Sequence, residues 1–160
     1  MNLHNQVALI TGASRGIGRA ILDALAQAGA TVIGTATSDS GAEAISHYIA
    51  EKGYQGSGKK LLVNDNDAIE ALIKDIAAEF APVAILVNNA GITHDNLLMR
   101  MKPEEWDKVI DTNLSSVYRL SKAVLRDMMK ARCGRIINIT SVVGIMGNAG
   151  QTNYAATKAG

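Results

Sequence analysis

A doubly wound parallel α/β sheet with helices on both faces is the fold this sequence predicts, on three observations. Short, wholly apolar runs at 7–10 and 84–87 suit strands buried on both sides. Such runs alternate with segments of helical periodicity, and strand–helix alternation builds parallel sheets through right-handed crossovers. Turns rich in Gly or Asn follow several strands, and they do so at the carboxyl ends, where open parallel sheets form their clefts. No linker, charge run or internal repeat divides the 160 residues, so one domain over 1–160 is expected.

The elements follow in order. The strand at 7–10 runs into Thr11-Gly12-Ala13-Ser14-Arg15-Gly16-Ile17-Gly18 and then a helix over 19–28. Strand, Gly-rich turn and helix form the context of a dinucleotide-binding motif. Glycines let the backbone approach a pyrophosphate, and a helix N-terminus offers free N–H groups and a positive dipole end. The spacing is G-x-x-x-G-x-G, and a tight structural turn is the plainer reading. The second strand, 31–35, ends without an acid before Asp39, leaving Thr37 where a carboxylate would select the 2′-hydroxyl of NAD. With Arg15 nearby the site favours NADP, unless Arg15 is merely solvated.

A helix over 41–52 presents Ala44, Ile45, Tyr48 and Ile49 on one stripe. The glycine-rich stretch 53–58 reads as a connector, and 60–63 as the third strand. Asn64 and Asp65 at its end are candidate partners of an adenine ring, and Asp67 is the expected cap of the next helix, 68–80. Strand four at 84–87 delivers Asn88-Asn89-Ala90-Gly91 to the same sheet edge as the first glycine turn, as a close-contact wall for a flat ligand or as a plain turn. Pro103 opens a long helix reaching about Ala131, with an apolar stripe through Trp106, Val109, Ile110, Leu114, Val117, Leu120 and Val124. Asn113 interrupts that stripe as a bonded core amide or a functional group. Strand five, 135–139, leads to Ser141.

Tyr154 and Lys158, four apart, share one helix face. A free tyrosine titrates near pH 10, and an ammonium held beside a phenol favours the phenolate, making a usable general acid or base. Ser141, across a Gly-rich loop, is placed to hydrogen-bond a substrate oxygen.

Composition sets the outer bounds. Apolar residues make 48% and charged residues 19%, with net charge +1, which points to neither nucleic acid nor an acidic membrane surface. The single cysteine, Cys133, has no Cys or His beside it, so no metal site is expected. No apolar run approaches the ~20 residues of a membrane span, and the N-terminus lacks the charged-then-apolar pattern expected of a signal peptide. A cytoplasmic protein is expected.

Taken together, T-G-x-x-x-G-x-G at 11–18, N-N-A-G at 88–91, Asn113, Ser141 and Y-x-x-x-K at 154–158 stand in the order of the short-chain dehydrogenase/reductases, and the whole chain resembles that family. The wording at 91–101, 113–116, 119–122 and 147–154 is similar to its β-ketoacyl-[acyl-carrier-protein] reductases of bacterial type II fatty acid synthesis. The resemblance implies a Rossmann-type fold and NADPH-dependent reduction of a 3-oxoacyl thioester borne on acyl carrier protein, by a homotetramer. The alternatives are another ketone or acyl-CoA substrate, or a cofactor-binding module without turnover. It implies that Gly12, Ala13, Ser14, Arg15, Gly16, Ile17 and Gly18 hold the cofactor phosphates. Thr37, Asn64, Asp65, Asn89, Ala90 and Gly91 would lie along the rest of the cofactor. Tyr154 would give the proton, Ser141 polarise the ketone, Lys158 assist Tyr154 and bind ribose, and Asn113 hold a relay water. Two departures stand out. Ala84 replaces a frequent Asp, and the sequence stops at Gly160 where family members continue, so residues 1–160 alone are expected to show negligible turnover.

Overall fold

In β1 (Val7–Ile10) every side chain is buried, and alternation divides them between two cores. Val7 and Leu9 join Leu86, Ile69, Ile76, Leu120 and Val124 on one face, while Ala8 and Ile10 join Leu22, Val32, Ile45, Ile49 and Val87 on the other. A computed structural model describes residues 2–160 and pairs five strands, all in parallel, in the order β3-β2-β1-β4-β5. The other strands are β2 (Thr31–Ala36), β3 (Gly56–Lys60), β4 (Val83–Asn88) and β5 (Arg135–Asn138). Helices α1 (Gly16–Gln27) and α2 (Asp39–Glu51) supply one core, and α3 (Asn66–Glu79) and α5 (Ser116–Ala131) the other. The expected doubly wound parallel fold is what forms.

Three local expectations need correction. The third strand is not 60–63 but Gly56–Lys60, inside the stretch read as a connector. Its glycines are there because nothing larger fits. A Cβ on Gly56 would stand 1.8 Å from the Val32 carbonyl oxygen, and one on Gly58 would stand 2.0 Å from that of Ala42 on α2. Leu61 and Val63, the apolar residues that suggested a strand, are buried in a turn beyond it. Gly58→Ala should therefore cost about 1–3 kcal/mol, as overpacking does, measurable by urea denaturation. The cap of α3 is Asp65, whose carboxylate accepts from the Ala68 N–H at 3.0 Å, while Asp67 sits in the first turn.

The third correction concerns the long helix. It is α4 (Pro103–Ile110), a π-helical turn over Asp111–Ser115, and α5. Its buried positions are Val109, Asn113, Ser116, Leu120, Val124 and Met128. They take 19 residues over five turns, whereas regular α geometry takes about 18. The excess falls after the π turn, between Ser116 and Met128. Asn113 lies on the π turn, 4% exposed, in the stripe's middle.

Candidate functional site

The strand order reverses at β1, whose neighbours β2 and β4 are reached in opposite directions, and a crevice opens there between the turns that follow β1 and β4. Thr11 joins the two turns. Its hydroxyl oxygen accepts from the N–H groups of Asn89 and Ala90, both at 3.0 Å, and the hydroxyl donates to the Val87 carbonyl at 3.3 Å. The Asn89 amide donates back to the carbonyls of Thr11 and Gly12 at 2.9 and 3.1 Å. Gly12 has φ +67°, and a Cβ there would stand 3.1 Å from the Ala90 Cα. At Gly18 a Cβ would strike the Gly12 carbonyl oxygen at 2.2 Å, so the glycines permit closure of the turn onto the helix.

The result is a groove of about 540 Å³ lined by Gly12, Ser14, Arg15, Gly16, Ile17, Gly18, Thr37, Asn89, Ala90 and Gly91, among others. The N-terminus of α1 points its free N–H groups here. No side chain caps it and no acid lies in its first turn. That vacant positive end beside a side-chain-free wall fits a pyrophosphate. Ala13 is fully buried in the core, donating its N–H to Thr35, and contributes no groove surface. Asn64 and Asp65 are exposed beyond the groove wall, which on that side is Leu61 and Val63. Arg15, Thr37 and Ser38 line the end of the groove at β2, and Asp39 turns its carboxylate to Lys60 at 2.7 Å.

At the other end lie Tyr154 and Lys158 on α7 (Thr152–Ala159). The Lys158 ammonium stands 5.8 Å from the centre of the Tyr154 ring and donates to the Ile139 carbonyl at 2.8 Å. Burial pushes its pKa below the ordinary lysine value. It also lies 3.7 Å from where a Cβ of Gly91 would be, so it adjoins the groove wall. Ser141 begins the turn into α6 (Val143–Met146), and its oxygen accepts the Val143 N–H at 3.2 Å, leaving the hydroxyl proton to be donated elsewhere. The Asn113 amide bonds both the N–H and the carbonyl of Ile92 at 2.8 Å and donates to Thr157 at 3.3 Å. It fastens the turn after β4 to α7, and its polar atoms are taken up by the chain's own groups.

A family model described as short chain dehydrogenase matches residues 6–160. The chain belongs to the short-chain dehydrogenase family. Over all 160 residues this short-chain dehydrogenase is 64% identical to the 3-oxoacyl-[acyl-carrier-protein] reductase FabG of Vibrio harveyi. It is 65% identical to that of Escherichia coli and 66% to that of Vibrio cholerae, again over the full 160 residues. It spans 64% of the length of each of these relatives. No helix among its described residues is long and apolar enough to cross a membrane.

Sequence reasoning on this short-chain dehydrogenase missed three structural contributors. Thr11 was visible as the first letter of the glycine motif, without a role. Arg19 stacks on the Tyr48 ring at 4.0 Å and donates to the carbonyls of Ala13 and Ser14, bracing the turn from outside the motif. Asn153, the neighbour of Tyr154, is fully buried, and no periodicity signals it.

Proposed function

We propose that this protein reduces the ketone of a 3-oxoacyl thioester carried on acyl carrier protein, with NADPH as cofactor. One observation supports the chemistry above the rest: Tyr154 and Lys158 share a face of α7 at the end of a groove built for a dinucleotide. The names of the relatives supply the substrate class. The bound nicotinamide supplies a hydride to the ketone carbon.

The chain's own residues do the remaining work. Gly12, Ser14, Arg15, Gly16, Ile17 and Gly18 hold the phosphates against the α1 N-terminus. Ser141 donates its free proton in a hydrogen bond to the ketone oxygen and polarises it. Tyr154 transfers its phenolic proton to that oxygen, completing the hydroxyl. The adjacent Lys158 ammonium, anchored on Ile139, stabilises the phenolate that remains. Asn113 holds the turn after β4 in register with α7 through its side chain. Cytoplasmic location accords with this reading. So does a homotetramer, for which α5 offers an exposed stripe of Tyr118, Leu125 and Met129.

The test is NADPH oxidation, followed by absorbance, in the native protein with an acetoacetyl thioester. Binding of NADPH without turnover on any ketone would overturn the reading in favour of a binding module. Carrier recognition is tested separately. Arg126, Lys130, Arg132 and Arg135 form an exposed basic group around the end of α5, suited to an acidic carrier. Arg132→Glu should raise KM severalfold for a carrier-bound substrate and leave that for a small thioester unchanged. Equal effects on both would count against docking there.

A further inference from the structure

Tyr154 needs its hydroxyl held to a fraction of an ångström, yet α7 is only eight residues long and no side chain caps it from its N-cap position. Asn153 does that work from inside the helix. Its side-chain oxygen accepts the N–H of Tyr154 at 2.8 Å, one of the first-turn donors that α7 cannot satisfy itself. Its amide donates to the carbonyls of His94 at 3.0 Å and Glu105 at 3.3 Å. One fully buried side chain thus joins the residue bearing the phenol, the turn after β4 and the first helical turn of α4.

The surrounding bonds tie the same three segments. The Asn96 N–H donates to the Gly150 carbonyl at 2.9 Å, and Gln151 reaches the Asp95 carboxylate at 3.1 Å. Glu105 accepts from the Lys102 N–H at 2.8 Å and from the Asn96 amide at 2.9 Å. The Lys102 bond, then that of Asn96, holds its carboxyl below the usual carboxylate range. These neighbours are exposed or half-buried, so water can replace their bonds, whereas no water reaches Asn153.

We infer that Asn153 is a positioning residue for the proposed reaction. It sets the place of the Tyr154 hydroxyl by pinning the α7 N-terminus to His94 and Glu105. This rests on the proposed role of Tyr154. Asn153 is absent from the residues lining the cofactor groove, so its effect should fall on turnover and not on NADPH affinity.

The sharp variant is Asn153→Asp, which keeps the acceptor for the Tyr154 N–H but sets oxygen against two carbonyl oxygens. Asn153→Ser is the second variant, keeping a small acceptor should the buried acid prevent folding. In the native protein, kcat for an acetoacetyl thioester should fall at least tenfold in either, with the NADPH dissociation constant within twofold. In a Tyr154→Phe background Asn153→Ser should cost nothing further, because a residue acting through the phenol has nothing left to position. Amide hydrogen exchange should quicken at least tenfold at Asn96 and Tyr154, with β1 and β4 unchanged. Normal kcat, or the same loss added to Tyr154→Phe, would overturn the inference. A parent that binds NADPH without turnover would remove the reaction but not this test, since unchanged exchange at Asn96 and Tyr154 would overturn the pinning by itself.

Discussion

Tyr154→Phe is expected to lower turnover at least about 10²-fold, the scale of a lost general acid, with NADPH affinity within about twofold. The phenyl ring remains to fill its place on α7, and the groove walls do not include it. Lys158 keeps its bond to Ile139, so the ammonium stays where it is. What disappears is the one transferable proton beside that ammonium. Steady-state kinetics with an acetoacetyl thioester, alongside fluorescence titration with NADPH, separate the two effects. Near-normal turnover would remove Tyr154 from the chemistry.

Thr37→Asp should reverse cofactor preference. Arg15 and Thr37 line the groove beside the end of β2, with no carboxylate between them. Arg15 offers a permanently charged planar fork to a 2′-phosphate. A charge-assisted bond of that kind contributes roughly 1.5–3 kcal/mol, enough for at least about tenfold discrimination. A carboxylate at 37 would repel the phosphate and accept a bond from the 2′-hydroxyl of NADH. Asp39 is the native acid that competes with this argument, and it is engaged at 2.7 Å by Lys60, the last residue of β3. The measurement is kcat/KM for both cofactors in parent and variant. A parent that prefers NADH would show that Asp39 swings to the ribose.

The elements whose burial is two-sided were legible, because β1 and β4 carry unbroken apolar runs that no other element explains. β3 was not. It is an edge strand, and its fit against Val32 and α2 demands glycines, the residues that read as a turn when taken alone. The α3 cap was misplaced by two residues because Asp65 and Asp67 both suit the role, and only backbone geometry chooses between them. The glycine turn, Asn89 and Lys158 are local motifs, so spacing marked them as candidates. Asn153 is buried by segments far away in sequence, His94 and Glu105, and no local pattern carries that.

The π-helical turn at Asp111–Ser115 makes chain length a specified quantity here. One residue deleted within it would let the helix run on in regular α form, gaining uniform hydrogen bonds. The same deletion would leave α4 and α5 close to their present phase, because a π turn takes up its additional residue by widening. α4 would keep its packing on α7, and α5 its packing on α3 and β4. What would change is the turn itself, where Asn113 bonds Ile92 and Thr157. The wider turn is the seat of that amide, so the more regular helix would be the worse one for the site.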